Sequence, residues 1–272
     1  MEELLPKIES LPQELKDKKE TILNTKKSYI KISLHYIDEI KFISSKVGGT
    51  PYLPISEKYP LDKNGQPMEF LAQLNFSEIP EFEDYPTKGL VQFFISFEDW
   101  GIDYDNPLNS SFKVIYREST EEEAQTDFSF LDELRKDENS PIGESKFKMS
   151  FSEPLDEVAS SRDYRSYNEA NGNFKHYLNF DEYGERRGQE LEMAYWETFS
   201  SFGHKIGGYA DFTQQDPRFY ENQDFTELLF QLDSDSNADI LWGDSGIANF
   251  FIRKEDLKNK NFSEVLYHWD CH

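Results

Sequence analysis

The sequence predicts an α+β fold that is mainly β, a single domain over 1–272 built from two pseudo-symmetric β units with peripheral helices. Three observations carry this. The chain holds 23 Phe and 15 Tyr, an aromatic load that favours strands and a packed core over disorder. Several segments alternate apolar and polar residues with period two, as half-buried strands do. Three blocks of sequence also recur in the same order.

Lys46 opens K-V-G-G-T, followed by F-L-A-Q-L-N-F and G-L-V-Q-F-F-I. Lys205 opens K-I-G-G-Y, followed by L-L-F-Q-L-D and G-I-A-N-F-F-I. Lys46 to Lys205, Gln73 to Gln231 and Phe93 to Phe250 are displacements of 159, 158 and 157 residues. The units, 46–97 and 205–254, each have the size of one supersecondary motif. In each, the Gly-Gly pair signals a turn with unusual backbone needs, and the next two blocks read as strands. Phe70, Ala72, Leu74 and Phe76 are expected on one face; Val91, Phe93, Ile95 and Phe97 likewise share a face of the next strand. Adjacent aromatics on a strand point to opposite faces, so Phe93 and Phe94, like Phe250 and Phe251, imply strands covered on both sides. No low-complexity linker separates the units, which makes one domain the reading.

Around the units, residues 3–27 are expected to be helical, with Leu4, Ile8, Leu11, Leu15 and Ile22 at helical spacing. Tyr29–Tyr36 switches to period two, placing Ile30, Ile32, Leu34 and Tyr36 on one face of a strand. Phe112–Tyr116 and Phe147–Phe151 alternate as strands. The stretch 119–139 is acidic, with a short helix over 128–136, and 181–199 reads as a helix with Leu191, Tyr195 and Phe199 along one face.

With 29 basic and 53 acidic side chains the formal charge is −24. Such a surface repels phosphate backbones and anionic lipid, so neither nucleic acid nor membrane is expected as a partner, whereas a basic protein is electrostatically welcome. Acidity also simply maintains solubility. Cys271 is the lone cysteine, so no intramolecular disulfide can form, which fits a reducing compartment. The charged N-terminus lacks the apolar core of a signal peptide, and no apolar run approaches a membrane span; the expected location is cytoplasmic.

The set G-G-T-P-Y-L-P (48–54), F-L-A-Q-L-N (70–75), G-L-V-Q-F-F-I (89–95), K-I-G-G-Y (205–209), Q-x-D-x-R (214–218), F-Q-L-D-S-D (230–235) and W-G-D-S-G-I-A-N-F-F-I (242–252) resembles the YwqG-like family, domain of unknown function 1963. The resemblance spans nearly the whole chain and departs at Ala210, where the family pattern usually carries proline. It implies a mainly β fold, a bacterial source and no established activity. It also implies, for some members, an immunity or toxin-binding role.

Several motifs invite chemistry. Gly243-Asp244-Ser245-Gly246 spells the tetrapeptide around a trypsin-like nucleophile, but Ile247 and Ala248 follow it, and the repeat places it at a turn into a strand, matching Lys88-Gly89. Asp233, Asp235, Asn237, Asp239 and Asp244 occupy positions 1, 3, 5, 7 and 12 of an EF-hand-like loop, with Ile240 in the apolar eighth place. Ala238 stands where that loop turns on glycine, and the flanks read as strands, so a solvated acidic loop is the favoured reading and no metal is assigned. His35, His176, His204, His268 and His272 form no paired ligand motif. Lys46 and Lys205 beside their Gly-Gly pairs could serve an anion nest, although turns alone explain them. No catalytic residue and no cofactor are assigned.

A polar stripe lies opposite the apolar alternation. Gln73 and Asn75 match Gln231 and Asp233, and Gln92 matches Asn249. Amides at matching places are read first as a buried hydrogen-bond network that fixes strand register, and second as a polar ligand pocket near the pseudo-symmetry axis. The leading functional expectation is a non-enzymatic cytosolic binding protein, with an immunity-type protein that binds a toxin as one form of it. A small-ligand or cation-binding protein using the polar stripe or the acidic loop is the alternative, and a hydrolase comes third.

Overall fold

Alternation becomes thirteen strands and helical periodicity six α-helices among residues 3–103, 111–137, 140–144, 146–170 and 173–272, which the computed structural model describes. In chain order these begin with α1 (Leu4–Ser10), α2 (Gln13–Lys16), α3 (Lys19–Leu23), β1 (Lys27–Tyr36), β2 (Lys46–Gly48), β3 (Glu69–Asn75), β4 (Leu90–Ile95) and β5 (Phe112–Arg117). Next come α4 (Ser129–Asp137), β6 (Lys146–Phe151), β7 (Leu155–Glu157), β8 (Tyr167–Ala170), β9 (Asn173–His176) and α5 (Glu185–Phe199). The chain ends with β10 (Lys205–Gly207), β11 (Glu227–Asp233), β12 (Ile247–Ile252), α6 (Lys254–Lys258) and β13 (Leu266–Asp270).

One mainly β domain results. Eleven strands form a single sheet in the order β13-β12-β11-β10-β1-β6-β2-β3-β4-β5, with β7 beside β1, while β8 and β9 form a separate hairpin. β1 joins the halves: Tyr29–Lys31 pair with β10, and Ile32–Tyr36 pair with β6. The two halves then close on each other through aromatic rings. Phe93 lies 5.0 Å from Phe230 and 4.7 Å from Phe250, and Phe112 lies 5.3 Å from Tyr267. Phe94 and Phe251 point away from this core into separate clusters, with Met68 and Phe70 in one case and with Phe212, Phe225 and Leu266 in the other. All four central phenylalanines are buried.

The structure corrects four expectations. Phe70 does not share the face of Ala72 and Leu74. The register slips between Phe70 and Ala72, a bulge that turns Phe70 onto the opposite side against Phe94. The second unit slips at the matching place, between Leu228 and Phe230. The N-terminal segment is three short helices rather than one. Pro12 forces the preceding Leu11 into an extended conformation (ψ 161°) and ends α1. Leu4, Ile8, Leu11, Leu15 and Ile22 still meet Leu191, Tyr195 and Phe199 of α5 in one cluster. That helix starts at Glu185, four residues later than expected, because Gly184 at φ 79° separates it from a 3-10 turn over Phe180–Tyr183. Tyr36, expected with Ile30 and Ile32, is 66% exposed at the end of β1. The acidic stretch 119–139 ends in two residues that lie outside the described ones.

Candidate functional site

Most polar atoms of the stripe bond within the fold. Gln73 is fully buried; its Nε2 donates to the carbonyls of Phe42 (2.6 Å) and Ser44 (2.8 Å), and its Oε1 accepts the Tyr52 N–H (3.2 Å). Gln231 does the same with Ser201 (2.8 Å), Gly203 (2.8 Å) and the Asp211 N–H (3.0 Å). Gln92 donates to Tyr52 O (2.7 Å) and to Gln73 Oε1 (3.1 Å), and Asn249 donates to Asp211 O (2.8 Å). These amides tie each loop that precedes or follows a Gly-Gly turn to the strand behind it. Asn75 Nδ2 donates to Ile43 O, and Asp233 Oδ2 accepts the Gly203 N–H. Gln73 and Gln92 are therefore brought together in one half of the sheet, and Gln231, Asp233 and Asn249 in the other.

In the acidic loop, Asp235 Oδ1 accepts from Asn237 N–H and Nδ2, while its Oδ2 faces His204 Nε2 at 3.4 Å. Burial pushes Asp233 up to about 6. Ala238 is buried in the core, and the left-handed residue of the turn is Asp239 (φ 53°). The loop thus folds on its own backbone, and among the described residues no cluster of three or more His, Cys, Asp or Glu side chains could hold a metal ion. Gly243-Asp244-Ser245 is a turn leading into β12.

A cleft lies elsewhere, between one face of α5, the β8–β9 hairpin and the loop 214–220. Its volume is about 850 Å³. Glu192, Met193 and Trp196 come from α5, Tyr167 and Phe174 from the hairpin, and Phe219 and Tyr220 from the loop. Helical spacing explains the first group, because Glu192 and Trp196 stand one turn apart beside the buried Leu191–Tyr195–Phe199 stripe. The hairpin is pinned by rings: Phe174 lies 4.5 Å from Phe219 and 5.6 Å from Tyr220, and Tyr167 lies 5.3 Å from Phe219.

Beneath the cleft is a buried ion network. Arg218 donates through Nε to Asp216 Oδ1 (2.9 Å) and through Nη2 to Asp216 Oδ2 (2.8 Å) and Asp163 Oδ2 (3.2 Å), and its guanidinium lies 3.8 Å over the Phe251 ring. Arg165 clasps Asp163 through Nε and Nη2, holding that carboxyl far below the usual range against its burial. Asp216 also accepts the Tyr164 N–H (3.0 Å). All four oxygens of the two carboxylates are thus engaged, as such a deep charge cluster requires. The network locks the loop 214–220 to the segment that opens the hairpin.

Arg162 brings a cation to the cleft wall. Its guanidinium lies 4.8 Å over the Trp196 ring and donates to Phe212 O. Burial raises the Glu192 carboxyl, with Asp181 adding to it, and burial with the nearby Glu192 pushes the Tyr167 phenol up to about 12. Tyr167 therefore enters neutral chemistry as a phenol. No hydrogen-bonded nucleophile and base are found among the described residues of this wall, so the arrangement can stack, orient and discriminate a guest.

The sequence reading missed this cleft. Only Gln214, Asp216 and Arg218 lay in a motif it singled out, and there as a family mark. The signal available was the density of aromatics in 164–183 and 219–220, without the alternation that marks strands.

The fold and cleft define a mainly β protein with a cleft walled by a hairpin, a helix and a loop. Residues 45–271 match the family described as a domain of unknown function (DUF1963), and the chain belongs to that family. No curated protein matches the chain.

Proposed function

We propose that this protein binds a partner rather than transforming a substrate, and that the α5–hairpin cleft is its recognition site. The observation that carries the reading is a hollow whose rim keeps large apolar side chains in water: Tyr220 is 72% exposed, Met193 54% and Phe174 41%. Exposed apolar groups gathered around a concavity mark interaction sites, and aromatics, Met and Arg are the residues that interfaces concentrate. The buried ion network supports this, because a preorganised wall loses less entropy on binding.

The −24 charge favours a basic partner, and Glu192 inside the cleft favours a cationic or hydrogen-bonding group beside the apolar one. The partner in this reading is a protein segment that presents an aromatic or long aliphatic side chain next to Lys or Arg, met in the cytoplasm. An immunity-type role, in which the segment belongs to a toxin, is one form of it. The cleft volume favours a second reading, a small amphipathic molecule, since clefts of this size enclose such ligands.

Affinity capture on immobilised wild-type protein, Tyr220→Ala and Met193→Lys tests the proposal. The expected result is a protein retained by wild type, lost from both variants and weakened as salt rises. Equal retention of the same proteins by all three would contradict it. A small molecule co-purifying with wild type alone would select the second reading.

A further inference from the structure

We propose that the turn Gly48-Gly49-Thr50 with Lys46 is a receptor for a carboxylate supplied from outside the chain, at the place that Glu157 fills in the second unit. This site is separate from the cleft and does not depend on it.

In the second unit Gly207 (φ 71°) and Gly208 (φ 69°) are both left-handed, a turn that brings the N–H of the next residue, Tyr209, onto a carboxylate. That carboxylate is Glu157. Its Oε1 accepts the Tyr209 N–H (2.6 Å) and Lys205 Nζ (2.9 Å), and its Oε2 accepts Lys205 Nζ (2.9 Å) and the Ser201 hydroxyl (3.3 Å). A Cβ on Gly208 would come within 1.9 Å of Oε1, so only glycine admits this approach.

The first unit repeats the receptor. Gly48 (φ 63°) and Gly49 (φ 68°) are left-handed in the same way, and Lys46, like Lys205, is 2% exposed. The anion differs. Among the described residues, Lys46 Nζ donates to the carbonyls of Phe42 (3.0 Å) and Lys41 (3.3 Å) and to nothing else, with its ammonium 5.9 Å from the Phe42 ring. A Cβ on Gly49 would meet, within 4 Å among the described atoms, only Lys146 Cβ at 3.4 Å. No described atom therefore fills, beside Gly49, the volume that a carboxylate occupies beside Gly208.

The charge state agrees with this geometry. Burial pulls the Lys46 ammonium down to about 7, with Glu78 opposing it. A buried ammonium that no described carboxylate touches directly is a strained charge, and an arriving carboxylate would relieve it. The ligand is a carboxylate because that is the group the same constellation holds in the twin unit. It can arrive as a free small acid or as the side chain of an acidic peptide.

The test titrates acetate, and separately a Glu-rich peptide, into isotopically labelled wild-type protein and Lys46→Met. Saturable shifts of the Gly49 and Thr50 amides in wild type, with an upward move of the Lys46 titration, are expected, and both should vanish in Lys46→Met. Saturation by peptide well below the acetate range assigns the site to an acidic side chain, and equal ranges assign it to a free acid. Absence of saturable shifts with both probes, or shifts unchanged in Lys46→Met, would overturn the proposal. Glu157→Ala provides the reference: opening the second nest should make its melting temperature respond to acetate more than that of wild type. If that variant does not fold, Glu157→Ser, which also vacates the nest, serves in its place. A reference variant that folds and ignores acetate would also overturn the proposal, because the nest would then not recognise carboxylates.

Discussion

The two β units of this chain spend the same residues on the same backbone bonds and then differ at their outer ends. Gln73 and Gln231 each close a loop with two donated bonds and one accepted bond. One bond further out the match fails. Gln92 Oε1 accepts Arg117 Nε at 2.8 Å, whereas Asn249 Oδ1 is buried without a partner among the described residues. Asp270 stands in β13 where Arg117 stands in β5, and it turns to the N–H groups of Thr213 and Gln214 instead. In the second unit, then, the β10–β11 connection is drawn onto the sheet edge, and from it rise Asp216, Arg218, Phe219 and Tyr220. The frame is common to both units, and the loop 214–220 that walls the proposed recognition cleft belongs to the second. A network that fixes register leaves the connections free to diverge, and connections are where binding residues collect.

The largest expected effect tests that division. Arg218→Met removes the cation from two carboxylates that are themselves fully or nearly fully buried, and should cost about 3–5 kcal/mol by denaturant unfolding. A loss below about 1 kcal/mol would show that the cleft does not rest on this network.

Next comes the hairpin. His176 is buried against Phe180 and Tyr177, with Nδ1 accepting the Leu178 N–H, and burial pulls its pKa down to about 3 from 6.5. The folded state then stays neutral while the unfolded chain binds a proton, so stability falls as pH drops from 6.5 towards 3. Between neutrality and about pH 4 this contribution should reach about 3 kcal/mol, and His176→Gln should flatten the acid limb by that amount. An acid limb identical in the variant would place His176 in water.

The amide pair gives a smaller difference. Gln92→Leu strips partners from Tyr52 O and from Arg117, and should cost about 2 kcal/mol. Asn249→Leu removes one bond and one unpartnered oxygen, so about 1 kcal/mol is expected, and equal losses would show that the two outer ends are equivalent after all.

Asp233→Asn has an effect of similar size. Burial raises Asp233 to about 6 from 3.8, so its contribution is fully present below 3.8 and is lost as pH rises through 6. The variant, which places at 233 the residue type found at Asn75, should remove that loss and gain about 1–2 kcal/mol at neutral pH relative to acid, allowing for partial exposure. No change in the pH profile would mean that Asp233 keeps its ordinary acidity.

Much of the frame was legible in the sequence because duplication doubles every signal. The K-V-G-G and K-I-G-G turns, the paired strands and the matched amides each appeared twice. The bulges were not legible, because Phe70-Leu71-Ala72 and Leu228-Leu229-Phe230 are continuous apolar runs in which a slip leaves no polar mark. The split of the N-terminal helix could be read only at Pro12. The cleft was hidden for a different reason. Its residues come from three segments with no shared period, and its foundation buries Arg218, a residue type that composition assigns to the surface.

The most direct test of the central claim is hydrogen exchange on the complex with the partner that wild type captures. Binding should slow exchange in 161–167, 189–196 and 214–220 and leave the matching first-unit connection, 52–66, unchanged. Protection confined to 52–66, or spread over both connections alike, would contradict the assignment of recognition to the second unit.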